Sequence, residues 1–231
     1  MSFFVDSFFS ALSLMRSLDP ELMTVVGVSL KVSCLSTLAA SLVGVPLGLG
    51  IGFSEFPGKR GVITLLNTLL ALPTVVIGLF VYSFISRRAV FGSLDLLYTQ
   101  NAIVIGQFFL ILPIVATFTL SAISRLDDRY RRTAMTLGAT RLQTGLVVLR
   151  EARFAIMAAV VAAFGRVISE IGISMMLGGN ARGFTRTMTT AMALEYDKGE
   201  FVLAVALGLV LMSISLLVNV ALNLIQGRGG K

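Results

Sequence analysis

Four stretches of the chain carry no charged residue over a length that can cross a bilayer: 32–54, 61–86, 96–124 and 201–227. A crossing helix needs about 20 mostly apolar residues. A fifth stretch, 154–178, has the length but is interrupted by Arg166 and Glu170. Five membrane helices are therefore expected, the first starting as early as Leu22, which brings Lys31 into its outer part. Ahead of them Phe4, Phe8, Ala11, Leu12 and Met15 recur at helical spacing, with Asp6, Ser7, Ser10 and Ser13 mostly on other faces. That pattern predicts an amphipathic helix over 1–21 at the membrane surface, the alternatives being a tail or a cleaved segment. The expected fold is an all-α, polytopic helix bundle: a single membrane domain over 22–227 and a tail over 228–231.

The pattern breaks between the third and fourth of these spans. Residues 125–153 hold seven arginines and three acids, flanked on both sides by membrane-length apolar sequence. Asp127 or Asp128 suits the start of a helix, where free amides need an acceptor and the dipole favours an acid. Gly138 suits the left-handed position at its end. Thr140 stands three residues before Gln143, the spacing of a capping box that starts a second helix. A helix–glycine–helix unit of this kind, built on one face of a membrane protein, is a surface for pressing against another protein.

Charge then sets the orientation. The chain has 231 residues, 13% charged, with a net charge of +7 and a mean hydropathy of +0.91. An ordinary soluble domain carries about 25% charged residues. With the 125–153 island inside, the inner side also receives Lys59, Arg60, Arg228 and Lys231, whereas Arg16, Arg87, Arg88, Arg182, Arg186 and Lys198 lie outside. This bias places the N-terminus outside and the C-terminus in the cytoplasm. The basic balance is thus topological and does not call for nucleic acid. The lone cysteine, Cys34, is expected as a small buried residue.

Gly44, Gly48 and Gly52 share one face of the first span, where four-residue spacing lets another backbone approach closely. Pro46, Pro73 and Pro113 are expected to bend the first three spans unless neighbours compensate.

Candidate chemistry is sparse. Gly52-Phe53-Ser54-Glu55-Phe56-Pro57-Gly58-Lys59-Arg60 imitates a phosphate-binding loop, but its glycines are one residue too far apart. Arg60 also stands where Ser or Thr would hold magnesium, and the segment follows a membrane helix instead of a strand. Histidine is absent, and no nucleophile constellation, carboxylate pair or metal spacing points to an enzyme. Glu170 follows Arg166 by four residues, so both can face one side of a helix. Charges at that depth mark either a solute path or an internal ion pair that fixes packing. The segment 178–190 brings Asn180, Arg182, Arg186, Thr185 and Thr187 together with glycines. Such groups suit an oxyanion, and they equally suit an ordinary polar loop.

Two sets of motifs carry a resemblance. Arg132-Thr133-Ala134, then Gly138, then Val147-Val148-Leu149-Arg150 resembles the cytoplasmic EAA loop of binding-protein-dependent ABC importer permeases. It departs from that pattern at Arg132, Thr133 and Arg150. Phe56-Pro57-Gly58-Lys59-Arg60, Leu72-Pro73-Thr74-Val75-Val76-Ile77-Gly78-Leu79, Leu149-Arg150-Glu151-Ala152-Arg153 and Gly178-Gly179-Asn180 are similar to the tungstate-type importer permeases, relatives of the molybdate and sulfate permeases. The resemblance runs from about Leu22 onward, and Arg150 is then the subfamily's own form of that position.

The resemblance implies a MetI-like permease fold and a transport subunit that is not itself an enzyme. Two copies would form the pore, each holding a cytoplasmic ATPase that binds ATP and magnesium, while an extracytoplasmic binding protein delivers the oxyanion. No cofactor or metal is implied in this chain. Arg132, Thr133, Ala134, Gly138, Ala139 and Arg141 match the ATPase-coupling segment. The candidate substrate path is Arg166, Glu170, Asn180, Thr185 and Thr187. Tungstate is the expected cargo, with molybdate or sulfate as alternatives. An ion-driven carrier, a membrane scaffold and a membrane-embedded enzyme are the rival classes.

Overall fold

The computed structural model describes residues 8–10, 12, 13 and 16–229; the side chains of Asp128, Arg141 and Arg228 lie outside the described set. Phe4, Ala11 and Met15 of the expected surface helix, and Lys231, lie outside it too. Phe8 and Leu12 are exposed, and residues 8–10 are helical. The described chain from residue 20 onward is built from helices: α1 Pro20–Phe53, α2 Lys59–Leu70, α3 Thr74–Ile85, α4 Gln100–Ser124, α5 Asp128–Thr136, α6 Arg141–Ile168, α7 Gly172–Gly178, α8 Met188–Lys198 and α9 Phe201–Gly229.

Three helices, α1, α4 and α9, are each long and apolar enough to cross a membrane alone. Two bent pairs among the described residues pass the same test when each pair is taken as one span. The axes of α2 and α3 meet at 102°, and those of α6 and α7 at 60°. The stretch 61–86, expected as one bent span, is therefore two 12-residue helices. Each is only about 18 Å long, too short for a hydrocarbon core of about 30 Å. Pro73 explains the break: it cannot donate an amide, and it stands as the extended N-cap of α3. Pro46 and Pro113, by contrast, sit inside unbroken helices.

The core of the bundle is the pair α1 and α4. Gly44 and Gly48 are buried in it. A Cβ placed on Gly48 would stand 2.6 Å from the Ala116 carbonyl oxygen, and one on Gly44 would stand 3.0 Å from Val115 Cβ. The glycine face seen in the sequence is thus the seat of α4. Deeper polar side chains tie in α6: Ser36 Oγ donates to Gln107 Oε1 (2.9 Å), and Gln107 Nε2 donates to the Val167 carbonyl (3.4 Å). With no water in the membrane interior, such bonds hold specific helices in register.

Cys34 is exposed on α1 instead of buried. Lys31, Leu35 and Leu38 are exposed on the same stretch. Apolar residues surround this helix on all sides, because lipid and protein neighbours both accept them, so composition gave no clue to the buried face.

The two ends of the bundle differ. At one, Glu21 meets Arg182, and Gln100 Nε2 donates to the Phe184 carbonyl (2.6 Å). At the other, Arg131 lies over the Phe53 ring (5.7 Å), and Gln226 Nε2 donates to the Phe154 carbonyl (3.1 Å). The island 125–153 occupies this second end.

Candidate functional site

The residues singled out in the sequence fall into two groups: the corner between α5 and α6, and the polar seam where α6 breaks into α7.

The corner forms as its local sequence dictates. Asp127 Oδ1 accepts from the Arg129 amide at 2.9 Å and caps α5. At the other end of α5, Gly138 adopts φ +81°. The amides of Leu137, Gly138 and Ala139 then donate back to the carbonyls of Thr133, Met135 and Ala134. Thr140 and Gln143 close a reciprocal capping box, the Thr140 amide donating to Gln143 Oε1 (2.8 Å) and the Gln143 amide to Thr140 Oγ1 (3.3 Å). Every turn amide at the corner has a partner within a few residues, so the unit is stiff without help from elsewhere.

Its inner side packs through Ala134, Val148 and Ala152, all buried. Its outer side is apolar and open: Leu137 is 83% exposed and Leu142 78%, with Met135, Leu146 and Tyr130 also exposed. A groove of about 530 Å³ runs between Asp127, Arg129, Tyr130, Thr133, Ala134, Leu137 and Val147. Among the coupling candidates, then, Thr133 lines the groove and Ala134 both lines it and packs inward, while Gly138 and Ala139 make the turn. Arg132 is exposed, and the side chain of Arg141 lies outside the described set. The sequence reading missed the strongest feature here, the exposed leucines Leu137, Leu142 and Leu146. Their signal was apolar residues inside a basic island.

The polar seam is organised around Glu170, whose side chain is 4% exposed against 40% for Arg166. Arg166 Nη1 donates to Glu170 Oε2 at 2.6 Å. The other oxygen, Oε1, accepts from the amides of Gly172 (2.9 Å) and Ile173 (3.4 Å), the first amides of α7. The Glu170 carbonyl accepts from Thr189 Oγ1 (2.8 Å), fastening the start of α8 to the break. Glu170 thus serves as ion-pair partner and helix cap at once. Of the two sequence readings for this pair, the packing role has direct geometry.

The segment after α7, read as either an oxyanion site or an ordinary polar loop, is closely bonded to itself and to its neighbours. Thr185 Oγ1 donates to the Gly178 carbonyl (2.6 Å) and accepts from the Ala181 amide (3.0 Å). Thr187 forms a capping box with Thr190 at the start of α8, and the Met188 amide donates to Ser29 Oγ (2.6 Å). Thr185, Thr187, Thr189 and Thr190 are all buried. Asn180 takes a left-handed φ of +51°, and its buried Oδ1 has no partner among the described residues.

The two arginines that suited an anion are already paired. Arg182 holds Glu21 through Nε (2.9 Å) and Nη2 (2.5 Å), and Arg186 Nη1 lies 3.5 Å from the same carboxylate. The hydrogen bond to Glu21, and then its charge, raise the Arg182 pKa above the usual guanidinium value. Glu21 stands 161 residues from Arg182, and no local pattern marks it. The imitation phosphate loop is likewise occupied by itself: Lys59 Nζ donates to Glu55 Oε1 (3.0 Å) and to the Gly52 carbonyl (3.4 Å).

Comparison with known proteins follows the same lines. Residues 44–228 match the model of a family described as the binding-protein-dependent transport system inner membrane component. A tungstate uptake system permease protein, TupB, of Peptoclostridium acidaminophilum is 37% identical over 98% of this chain and 99% of its own. A probable anion ABC transporter permease protein of Haloferax volcanii is 37% identical over 86% and 88%. A sulfate transport system permease protein, CysT, of Salmonella typhimurium is 29% identical over 87% and 76%. Among solved structures, a bacterial ABC transporter involved in import of the acidic polysaccharide alginate superposes with a TM-score of 0.78 at 18% identity, covering 97% of this chain and 84% of that one. The inward-facing methionine ABC transporter MetNI gives 0.73 at 18% identity, over 91% and 97%. At this identity the two structures speak for the fold alone.

Proposed function

The chain belongs to the family of binding-protein-dependent transport system inner membrane components, and from that premise we propose that it is the pore-forming subunit of an ATP-driven oxyanion importer with tungstate as its cargo. The relatives named for tungstate uptake support that cargo over molybdate and sulfate.

One observation carries the oxyanion reading. Arg166 lies about 18 Å along α6 from Phe154, near the middle of a hydrocarbon core of about 30 Å. It keeps 40% of its side chain exposed. A guanidinium facing lipid at that depth is strongly disfavoured, so its open side faces water or a second protein surface. Two copies of the chain would meet around such a path, with α3 and α7 on either side of the breaks. Arg166 attracts the anion. Glu170 takes up part of its charge, so that the ion is held weakly enough to leave. The buried threonines hold the seam in shape.

Power enters at the other end. The exposed leucines of the α5–α6 corner dock a cytoplasmic ATPase, which binds ATP and magnesium. A separate extracytoplasmic protein presents the oxyanion at the end holding Glu21 and Arg182. This places the N-terminus outside and the C-terminus inside, in keeping with the distribution of basic residues. Closure of the ATPases pulls the two corners, and access alternates as each nucleotide state favours one arrangement of the bundle.

The test is reconstitution in liposomes with the partner ATPase and binding protein. Uptake should require ATP, favour tungstate over competing molybdate and sulfate, and fall at least tenfold in Arg166→Gln. Undiminished uptake by an intact Arg166→Gln complex would reject the path, and failure to move any of the three oxyanions would reject the cargo class.

A further inference from the structure

We propose that the chain carries a built site for one anionic phospholipid, with an acyl chain between α3 and α4 and the headgroup phosphate on Arg87 and Arg88. The argument starts from an apolar slot of about 470 Å³. Phe80, Phe84 and Ile85 of α3, Phe91 and Leu94 of the following loop, and Phe109 of α4 line it. None of these side chains has a polar atom, so the slot accepts hydrocarbon and offers nothing to a solute. Phe80 packs edge-on against Phe84 (5.0 Å) and Phe109 (6.4 Å), which gives the slot fixed walls.

At the end of α3 the chemistry changes abruptly. A second hollow, of about 630 Å³, shares Ile85 with the slot and is lined by Tyr82, Arg87, Arg88, Asp95 and Tyr98. Arg87 and Arg88 are exposed, and neither pairs with an acid or donates a hydrogen bond among the described residues. Asp95 lines the same hollow without reaching either guanidinium. Tyrosine and arginine beside an all-hydrocarbon slot are arranged as at the boundary between headgroups and acyl chains. Arg87 and Arg88 together with Asp95 leave the hollow one net positive charge, which balances the single negative charge of a phosphodiester, and planar guanidinium donor sets grip such a group well.

The loop that carries the arginines is rigid. The amides of Ala89, Phe91 and Gly92 donate to the carbonyls of Ser86, Phe84 and Ala89, and the Tyr98 amide donates to the Leu177 carbonyl (2.8 Å). A Cβ at Gly92 would collide with the carbonyl oxygens of Ser86 and Arg87, so only glycine lets the loop close this tightly. The backbone that carries the arginines is therefore fixed beside the slot in the free chain, and binding need order only their side chains. A second copy or a partner protein would instead have to bring two carboxylates and an apolar ridge to the same place.

The permease complex can be reconstituted in nanodiscs containing equal phosphatidylglycerol and phosphatidylcholine, then released for native mass spectrometry. Phosphatidylglycerol should be retained preferentially. Arg87→Ala combined with Arg88→Ala should reduce that retention about tenfold or more, because each basic group contributes appreciably to anionic-lipid affinity. The paired lysine replacements should restore most of it. Ile105 of α4 also lines the slot, and Ile105→Trp, which narrows it and leaves both arginines, should reduce retention of the lipid as well. A photoreactive residue at position 84 in an otherwise unaltered chain should label lipid. Equal retention of the two lipids, unchanged retention in the double alanine variant, or label found on a second copy or a partner protein would each overturn the site.

Discussion

The α5–α6 corner and the α6–α7 seam solve opposite problems with the same helix. At the corner, α6 begins with polar backbone satisfied locally and large apolar side chains left open. At the seam, α6 ends with its charged groups turned on one another, Arg166 on Glu170 and Glu170 on the amides of α7. The corner is stiff inside and incomplete outside. The seam is satisfied almost wholly within the chain. An exposed apolar surface outside the membrane is a place for a partner, whereas a bonded polar layer inside it holds a geometry. One unbroken helix, α6, joins the two.

The largest expected effect falls on the seam. Glu170→Ala removes the partner of Arg166 and the cap of α7 together, and should cost about 3 kcal/mol, the range for a broken, poorly solvated ion pair. Thermal melts of the purified complex would show it. Adding Arg166→Gln to Glu170→Ala should recover part of the loss. If the single variant melts like the unaltered chain, the seam does not hold the break together.

The corner should respond in binding and not in stability. Leu137→Asp or Leu142→Asp should weaken ATPase association by 2 kcal/mol or more, as for the central residue of an interface. Stability should stay within about 0.5 kcal/mol, because the side chains are open. Pull-down and calorimetry on the same preparations separate the two. Parallel loss of both would make the leucines part of the fold.

Gly138→Val sharpens the contrast. Nothing lies within 4 Å of a Cβ there, so strain comes only from φ +81°, at about 1–2 kcal/mol. Uptake and transport-stimulated ATP hydrolysis should fall together while the membrane part melts normally. The smallest effect is Thr140→Ala, a lost cap costing about 1 kcal/mol. It should appear as faster amide exchange over the first turn of α6, with uptake largely kept. Unchanged exchange there would show the capping box to be dispensable.

What the sequence disclosed follows from how far each interaction reaches along the chain. Asp127, Gly138, Thr140 and Gln143 act within a few residues, and their spacing predicted the observed corner. Gly44 and Gly48 likewise announced a close neighbour, though not that it would be α4. Arg166 and Glu170 were visible as a pair because four residues separate them. The clasp of Glu21 on Arg182 and Arg186 was not, since it joins opposite ends of the chain. Pro73 foretold a bend, but not a full break, and the angle of 102° depends on what the two short helices pack against. The short helix α8 went unforeseen because its buried start, Thr187 to Thr190, reads as loop composition. The exposure of Cys34 was hidden for the reason given above: when lipid and protein are equally oily, periodicity stops distinguishing them.

The contact of Gly48 with the Ala116 carbonyl limits how such a bundle moves. Two helices that touch backbone to backbone have no layer of side chains between them to slide or re-rotamerise. The α1–α4 pair is therefore the part of the bundle least free to shear, whereas α2 and α3 are joined across 71–73 only by the last bonds of α2 and by Pro73. A single added methyl group at residue 48 would meet the Ala116 carbonyl oxygen and prise α1 and α4 apart.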